Sequence, residues 1–300
     1  MTSAVARRVV VLMLLAALPA ARARPQEIVR RFGRTTIRVE VSQAFPGGVV
    51  IVRLQSKGRL GSAWALLDGR RAPFYPERGV LRALVPVAAG AEPGPATLGI
   101  GIAARGGGQR IAIPVTLAPR EYRSRYVYLS EPQRGLVSRD EALRDGRRLL
   151  AFLRTESPAP APGPLIPPVG GVGSGFGEPR SYTGVAEVES RFDALQGERH
   201  RGIDYPVAAE TPARAPAAGS VLFADELLLA GGTVVIDHGQ GVVSVLHHLS
   251  SVAVRQGEGV AAAAVVGLSG QSGLAPEPML QWRVYLHGVA VDPLVLGPLL

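Results

Sequence analysis

The last hundred residues constrain the fold more than any other part of the chain. From His200 to Leu300, short apolar runs are broken by glycine at close intervals. Examples are Gly232-Thr233-Val234-Val235-Ile236-Asp237-His238-Gly239 and Ser244-Val245-Leu246-His247-His248-Leu249-Ser250. Runs this short, rich in β-branched residues and bounded by glycine, make strands and tight turns. All five histidines, His200, His238, His247, His248 and His287, fall in this stretch. It opens on His200-Arg201-Gly202-Ile203-Asp204 and later carries Gly270-Gln271-Ser272-Gly273 and Met279-Leu280-Gln281-Trp282. A histidine and a carboxylate in one tight turn, with another histidine on a later strand, is how a zinc site is assembled on a β scaffold.

Upstream, residues 35–118 read as a second all-β unit. Thr36-Ile37-Arg38-Val39-Glu40-Val41 alternates strictly, so one face is buried and one is wet. Pro46-Gly47-Gly48 turns the chain into Val49-Val50-Ile51-Val52, and Asp68-Gly69 is a hairpin signal after Trp64-Ala65-Leu66-Leu67. Further strands are expected at Val80–Val87, Thr97–Ala103 and Ile111–Leu117. Turn signals at these intervals point to an immunoglobulin-like β-sandwich. The unit holds no histidine and its acids are scattered, so it carries no catalytic constellation.

One helix is expected over residues 138–156. Ser138 with Glu141 makes a capping box, and Leu143, Gly146, Leu150 and Leu153 fall on one face. Ser157–Pro168 carries six prolines and reads as an extended linker. The first 23 residues have the order of a secretory signal: Arg7-Arg8, an apolar run from Val9 to Leu18, then Ala21-Arg22-Ala23. A run of ten is too short to span a bilayer, which takes about 20 residues, so no stable membrane span is expected. The expected division is therefore a signal peptide at 1–23, a β domain at 24–118, a helix and Pro-rich linker at 119–169, and a C-terminal domain at 170–300. The mature chain would begin near Arg24.

The formal charge of +9 raises the question of nucleic acid. The arginines are scattered without a basic run or interleaved aromatics, so nucleic-acid binding is not expected. The chain has no cysteine, so an exported form must be held together by its core or a metal.

From Gly170 onward the chain resembles the lysostaphin/LytM-type zinc metallopeptidases, which cleave peptide bonds in bacterial peptidoglycan. Gly175-Phe176-Gly177-Glu178-Pro179-Arg180 is similar to the family's F-G-x-x-R entry, and His200–Asp204 to its H-x-G-x-D. Val234–Gly239 is similar to V-x-I-D-H-G, and Ser244–Ser250 to x-l-Y-x-H-L-s with Leu246 at the tyrosine. Gly270–Gly273 is similar to the G-x-T-G turn and Val291-Asp292-Pro293 to the closing V-D-P. The resemblance implies an antiparallel LytM-type β domain (a duplicated hybrid motif) and an all-β chain. It implies metal ligands at His200, Asp204 and Gln281, catalytic positions at His248 and Met279, and a substrate-binding role for Arg180.

The family's late H-x-H falls on Met279-Leu280-Gln281, so two of five expected positions are lost. A glutamine amide is a poor zinc ligand beside imidazole, and methionine cannot transfer a proton. Zinc is expected to bind weakly or not at all. On strand parity, His247 is expected to point away from His248, and His238 is expected in a turn. Three functions stand at this point. One is an exported, non-catalytic factor of the periplasm or cell envelope that binds peptidoglycan or regulates a cell-wall hydrolase. The second is an active zinc endopeptidase on peptidoglycan crosslinks. The third is a structural spacer of the envelope.

Overall fold

The computed structural model describes residues 27–58, 60–103, 108–137, 140–158, 163–173, 175–183 and 199–300. The signal-like segment 1–23 and the expected start at Arg24 lie outside the described residues, as do Ser138, Pro160 and Pro162. Among the described residues no helix is long and apolar enough to cross a membrane.

From Glu27 the described residues form two facing antiparallel sheets. β1 (Glu27–Phe32), β2 (Thr35–Glu40), β3 (Val49–Ser56), β6 (Tyr75–Glu77) and β7 (Val80–Pro86) form one, in the order β1-β2-β3-β7-β6. β4 (Ala63–Leu67), β5 (Arg70–Pro73), β8 (Gly94–Ile102) and β9 (Gln109–Leu117) form the other, in the order β5-β4-β8-β9. The alternation of β2 does what its pattern requires. Ile37 and Val39 enter a shared core with Val50, Val52, Leu98, Ile100 and Ile113, while Arg38 and Glu40 stay outside it. Asp68 and Gly69 both take positive φ, 49° and 70°, which gives the two-residue turn between β4 and β5 the right-handed twist the strands need.

The stretch expected to be helix and linker holds more. β10 (Arg125–Tyr128) pairs in parallel with β11 (Arg180–Thr183). α1 (Glu131–Val137) and α2 (Asp140–Phe152) then follow in place of one helix over 138–156. Of the expected packed face Leu153 is buried as expected, while the rest of the face is shifted. Ala142, Leu149, Phe152 and the following Leu153 meet the domain, whereas Leu150 is exposed.

The C-terminal sheet has nine strands: β12 (Ile203–Pro206), β13 (Pro212–Arg214), β14 (Gly219–Leu227), β15 (Gly231–Gly239), β16 (Val242–Val252), β17 (Gly259–Val260), β18 (Val265–Ser269), β19 (Met279–Leu286) and β20 (Val289–Val291). Its main path runs β12-β19-β16-β15-β14-β17, and a short helix, α3 (Pro293–Leu296), closes the chain. The central strands are buried on both faces, which is why they read as nearly continuous apolar runs. On one face Val234, Ile236, Leu246, Leu280, Trp282 and Val284 make the main core. On the other, Val235, Val243, Val245 and Tyr285 meet Phe152 and Leu153 from α2. The helix packs on β19 at Tyr285 and reaches toward Arg283, and the cleft lies over Arg283, Gln281 and Met279.

The sandwich is pressed against this domain. Val49 belongs to the C-terminal core, Asp292 N–H donates to Gly47 O at 2.8 Å, and Arg120 pairs with Asp292 at 2.5 Å. Arg82 reaches the carbonyl of Leu299. Gly47 has φ 78°, and a Cβ there would lie 2.3 Å from Phe176 Cε1. Gly79 has a similar φ of 83° with nothing near it. Gly47→Ala should therefore cost about 1–3 kcal/mol more than Gly79→Ala in denaturant unfolding, because only the first adds overpacking to backbone strain. Equal losses would mean that the two domains are not in contact at Phe176.

Candidate functional site

Asp204 and Gln281 are direct cross-strand partners on β12 and β19, and Gln281 and His247 are direct partners on β19 and β16. Opposed residues of an antiparallel pair share a face, so the three side chains stand in a row. His200 joins them from the turn before β12. Gly202 lets that turn pass close to β19: a Cβ there would meet Arg283 Cγ at 2.7 Å and Trp282 O at 2.8 Å. This is the physical reason for glycine in the H-x-G-x-D stretch.

The hydrogen-bond network fixes each polar atom. His200 Nδ1–H donates to Gly175 O at 2.9 Å, which leaves the lone pair on Nε2. Nε2 faces Asp204 Oδ1 at 3.3 Å. The Gln281 amide nitrogen donates to both, at 2.8 Å to His200 Nε2 and 2.9 Å to Asp204 Oδ1. Its amide oxygen accepts from Arg283 Nε at 2.6 Å, so the orientation of the amide is set from both ends. Arg180 Nη2 donates to the outer carboxylate oxygen, Asp204 Oδ2, at 2.5 Å and reaches Glu178 at 3.4 Å. Arg180, expected to hold substrate, lines the cleft with Nη2 on Asp204.

The other expected residues are also in place. Met279 is buried at the start of β19, opposite Pro206, and lines the cleft. His248 lines the same cleft, with Nδ1–H donating to Ser272 O at 2.9 Å. The parity expected of His247 and His248 does not hold. The register of β15 and β16 slips between Gly232 and Val234, and His248 has φ 66°. This β-bulge sets two residues of β16 against Thr233 and leaves both histidines on the side of Gln281. His247 lies deeper: its Nδ1–H donates to Thr233 Oγ1 at 3.1 Å, and its buried Nε2 has no partner among the described residues.

His238 is likewise not in a turn. It is the last residue but one of β15, buried, with Nδ1–H donating to Ala218 O. His287 lies in the hairpin after β19 and meets Glu156 at 3.1 Å, outside the cleft. Arg283 was not among the expected residues. Its only sequence signal is a cation two places after Gln281 in an otherwise apolar strand.

The cleft has a volume of about 620 Å³. His200, Asp204, Gln281 and Arg283 make its floor, and Tyr126, Tyr128 and Gln133 from the β10–α1 segment make one wall. Leu274, Pro276 and Met279 line it as well. Gln133 donates to Ala275 O at 3.2 Å, tying that wall to the loop before β19. Among the described residues no group of three or more His, Cys, Asp or Glu is placed to hold a metal ion.

Burial lowers the pKa of His200 and pushes that of His248 down to about 4. Burial, reinforced by Arg283, carries His247 well below the usual imidazole value. Burial alone would raise Asp204, but His200, the Arg180 guanidinium and the Gln281 amide hold its carboxyl well below the usual carboxylate range. At neutral pH the imidazoles are neutral and Asp204 is charged.

Residues 198–293 match Peptidase family M23, so the C-terminal domain resembles the M23/LytM type in sequence as well as in its sheet. A solved structure from Pseudomonas aeruginosa, described as an M23 peptidase, superposes with a TM-score of 0.62 at 27% identity, covering 85% of this chain and 96% of that one. The chain is 31% identical over 140 residues to the murein hydrolase activator EnvC of Escherichia coli, covering 46% of this chain and 33% of that protein. It is 35% identical over 94 residues to the DD-carboxypeptidase/endopeptidase Mpg of Neisseria meningitidis, covering 31% of this chain and 22% of that protein. The match spans at most about a third of the length of these curated relatives.

The lowered imidazole pKa values make a stability prediction with a defined sign. A histidine at about 6.5 when unfolded and about 4 when folded takes up protons on unfolding between those values, so stability falls as pH drops through that window. His248 alone should cost about 2 kcal/mol between pH 7 and pH 5, and His200, His238 and His247 add losses of the same sign. Denaturant unfolding at pH 7, 6 and 5 checks this. Asp204, being lowered, contributes its loss only below about pH 4. A pH-independent midpoint from 7 to 5 would contradict the buried, neutral histidines.

Proposed function

We propose, from the M23 match of the C-terminal domain, that this chain is a non-catalytic M23-type protein of the cell envelope. Its cleft binds at peptidoglycan or at a cell-wall hydrolase and does not cleave. The observation that carries the reading is the Gln281 amide, whose nitrogen occupies the point between His200 Nε2 and Asp204 Oδ1. A catalytic zinc takes three protein lone pairs converging on one point and keeps one position for water. Here two lone pairs converge on two N–H donors of a neutral side chain. The remaining amide oxygen is turned away to Arg283. The donor set does not fit zinc, and two guanidiniums, Arg180 and Arg283, bond directly to its members. No hydrolytic step is assigned to the site.

The loss at 279 points the same way. A thioether cannot move a proton, and proton transfer by a positioned side chain is worth about 10²–10⁴-fold. The similarity to EnvC, a murein hydrolase activator by name, supports a regulatory role for a cleft of this kind. The order of residues 1–23 supports export and the envelope location.

The test is zinc content, then peptide release from isolated peptidoglycan, for three forms of the full chain. Wild type should retain well under one zinc and release nothing that a chelator suppresses. Gln281→His should raise zinc retention, since it turns a donor-bearing amide into an imidazole ligand. Met279→His with Gln281→His should exceed the single variant in release by about 10²-fold or more. Binding to peptidoglycan or stimulation of a cell-wall hydrolase should be undiminished in chelator-treated wild type. Robust, chelator-sensitive hydrolysis by the wild type would show it to be an active zinc endopeptidase. Absence of both binding and stimulation would leave only a spacer.

A further inference from the structure

Arg283 is 7% exposed, yet among the described residues it makes no ion pair, although Asp204 and Glu277 line the same cleft and Asp145 the space beside α2. Its one hydrogen bond runs from Nε to a neutral amide oxygen, and among the described residues no carboxylate lies within ion-pair distance. The groups that feel its charge are His200, His247 and His248, all neutral at pH 7. The Asp204 carboxylate in the same cleft is taken by Arg180, Gln281 and His200. Buried charges are ordinarily paired, because desolvation is otherwise uncompensated. Arg283 lines the open cleft, and its terminal nitrogens make no hydrogen bond among the described residues and are not wholly buried.

The same cleft is lined by an acceptor. His248 donates through Nδ1 to Ser272 O, so its Nε2 carries a lone pair, and that atom too opens to the cleft. A two-pronged donor and a neutral acceptor lining one cleft suit one compact chemical unit: a carboxylate with an N–H two bonds away. That unit is the last residue of a peptide, whose α-carboxylate would lie on the Arg283 fork while its amide N–H points to His248 Nε2. The apolar lining from Leu274, Pro276 and Met279 suits a small side chain, and the wall with Tyr126 and Tyr128 leaves room for the preceding residues.

We propose that Arg283 anchors a subsite in this cleft for the free C-terminal carboxylate of a peptide. The proposal rests on the reading of the cleft as a binding site, and it names what the site recognises. It also explains the cation at 283: the arginine both locks the Gln281 amide and offers its outer edge to the ligand.

The test is calorimetric titration of the full chain with three probes: N-acetyl-trialanine as the free acid, the same peptide as its C-terminal amide, and N-acetyl-Ala-Glu-Ala amide. The free acid should bind at least tenfold more tightly than either amide, the difference expected of a charge-assisted, two-pronged contact. Arg283→Lys should retain part of this preference and Arg283→Gln should erase it. The acid-to-amide ratio is measured on the wild type, so the proposal stays testable if the glutamine variant misfolds. Equal binding of acid and amide, or no binding of either at millimolar concentration, would overturn it. Binding of the glutamate peptide as tight as the free acid would overturn the C-terminal assignment in favour of an acidic side chain. Wild-type hydrolysis of peptidoglycan would sink the non-catalytic reading separately, and the acid-to-amide ratio would still be readable in that case.

Discussion

Two buried lone pairs, His200 Nε2 and Asp204 Oδ1, stand 3.3 Å apart, and the rest of the site depends on what lies between them. Left alone they would repel, since burial removes the water that would solvate them. Something with positive charge or hydrogen-bond donors must fill the gap. The Gln281 amide does so with its two N–H groups. That choice turns its oxygen the other way and creates a buried acceptor, which Arg283 Nε satisfies. Each step resolves one unsatisfied group and creates the next. The chain of needs ends at the outer edge of Arg283, where it meets the cleft.

The scaffold makes this network possible by register. Met279, Gln281 and Arg283 fall on one face of β19 because strand side chains alternate. β12 brings Asp204 opposite Gln281 on one side, and β16 brings His247 opposite it on the other. Glycine at 202 allows the turn bearing His200 to close over β19, and glycine at 175 leaves its carbonyl free to orient the His200 ring. The bulge at His247 and His248 places two histidines where an uninterrupted strand would place one. Ser272 then fixes the second through its carbonyl, while its hydroxyl bonds Leu249 O and Gly232 N.

Much of this was legible in the sequence, and the reasons for success and failure are physical. The strands with strict alternation or continuous apolar runs, such as β2 and β15, formed where expected, because burial on one or both faces leaves the pattern no alternative. Asp68-Gly69 worked because its turn requires positive φ at both positions. The motif spacing placed His200, Asp204, His248, Met279 and Gln281 in one cleft. The parity of His247 was not legible, since a bulge inserts a residue without changing composition. The pairing of β10 with β11 is a contact between segments 55 residues apart in register, and nothing local in Arg125–Tyr128 announces it. The helix face was misjudged because the packed side is set by Phe223, Val235 and Tyr285, whose position no periodicity within α2 reveals. Arg283 was invisible as a functional residue because a single cation in a strand is usually solvated. Only its burial beneath the cleft sets it apart.

The cleft is also joined to the rest of the molecule in a way that a separate C-terminal domain would not be. Asp292 receives Arg120 from the segment after the sandwich, donates its backbone N–H to Gly47, and caps the first turn of α3 by accepting from Leu294 N–H. It follows directly on β20, which pairs with the Val284–Leu286 end of β19. Three residues back along that strand from Leu286 stands Arg283. At the other rim, the stretch leaving Arg120 runs through Tyr122, whose hydroxyl bonds Pro46 O, and then into β10 and the cleft wall. One segment therefore fixes both the wall and the strand that bears the floor. The floor itself is closed by the hydrogen bonds that join Gln281 to His200, Asp204 and Arg283. A recognition surface built so should be preorganised in the free protein, and preorganisation is what lowers the entropic cost of binding.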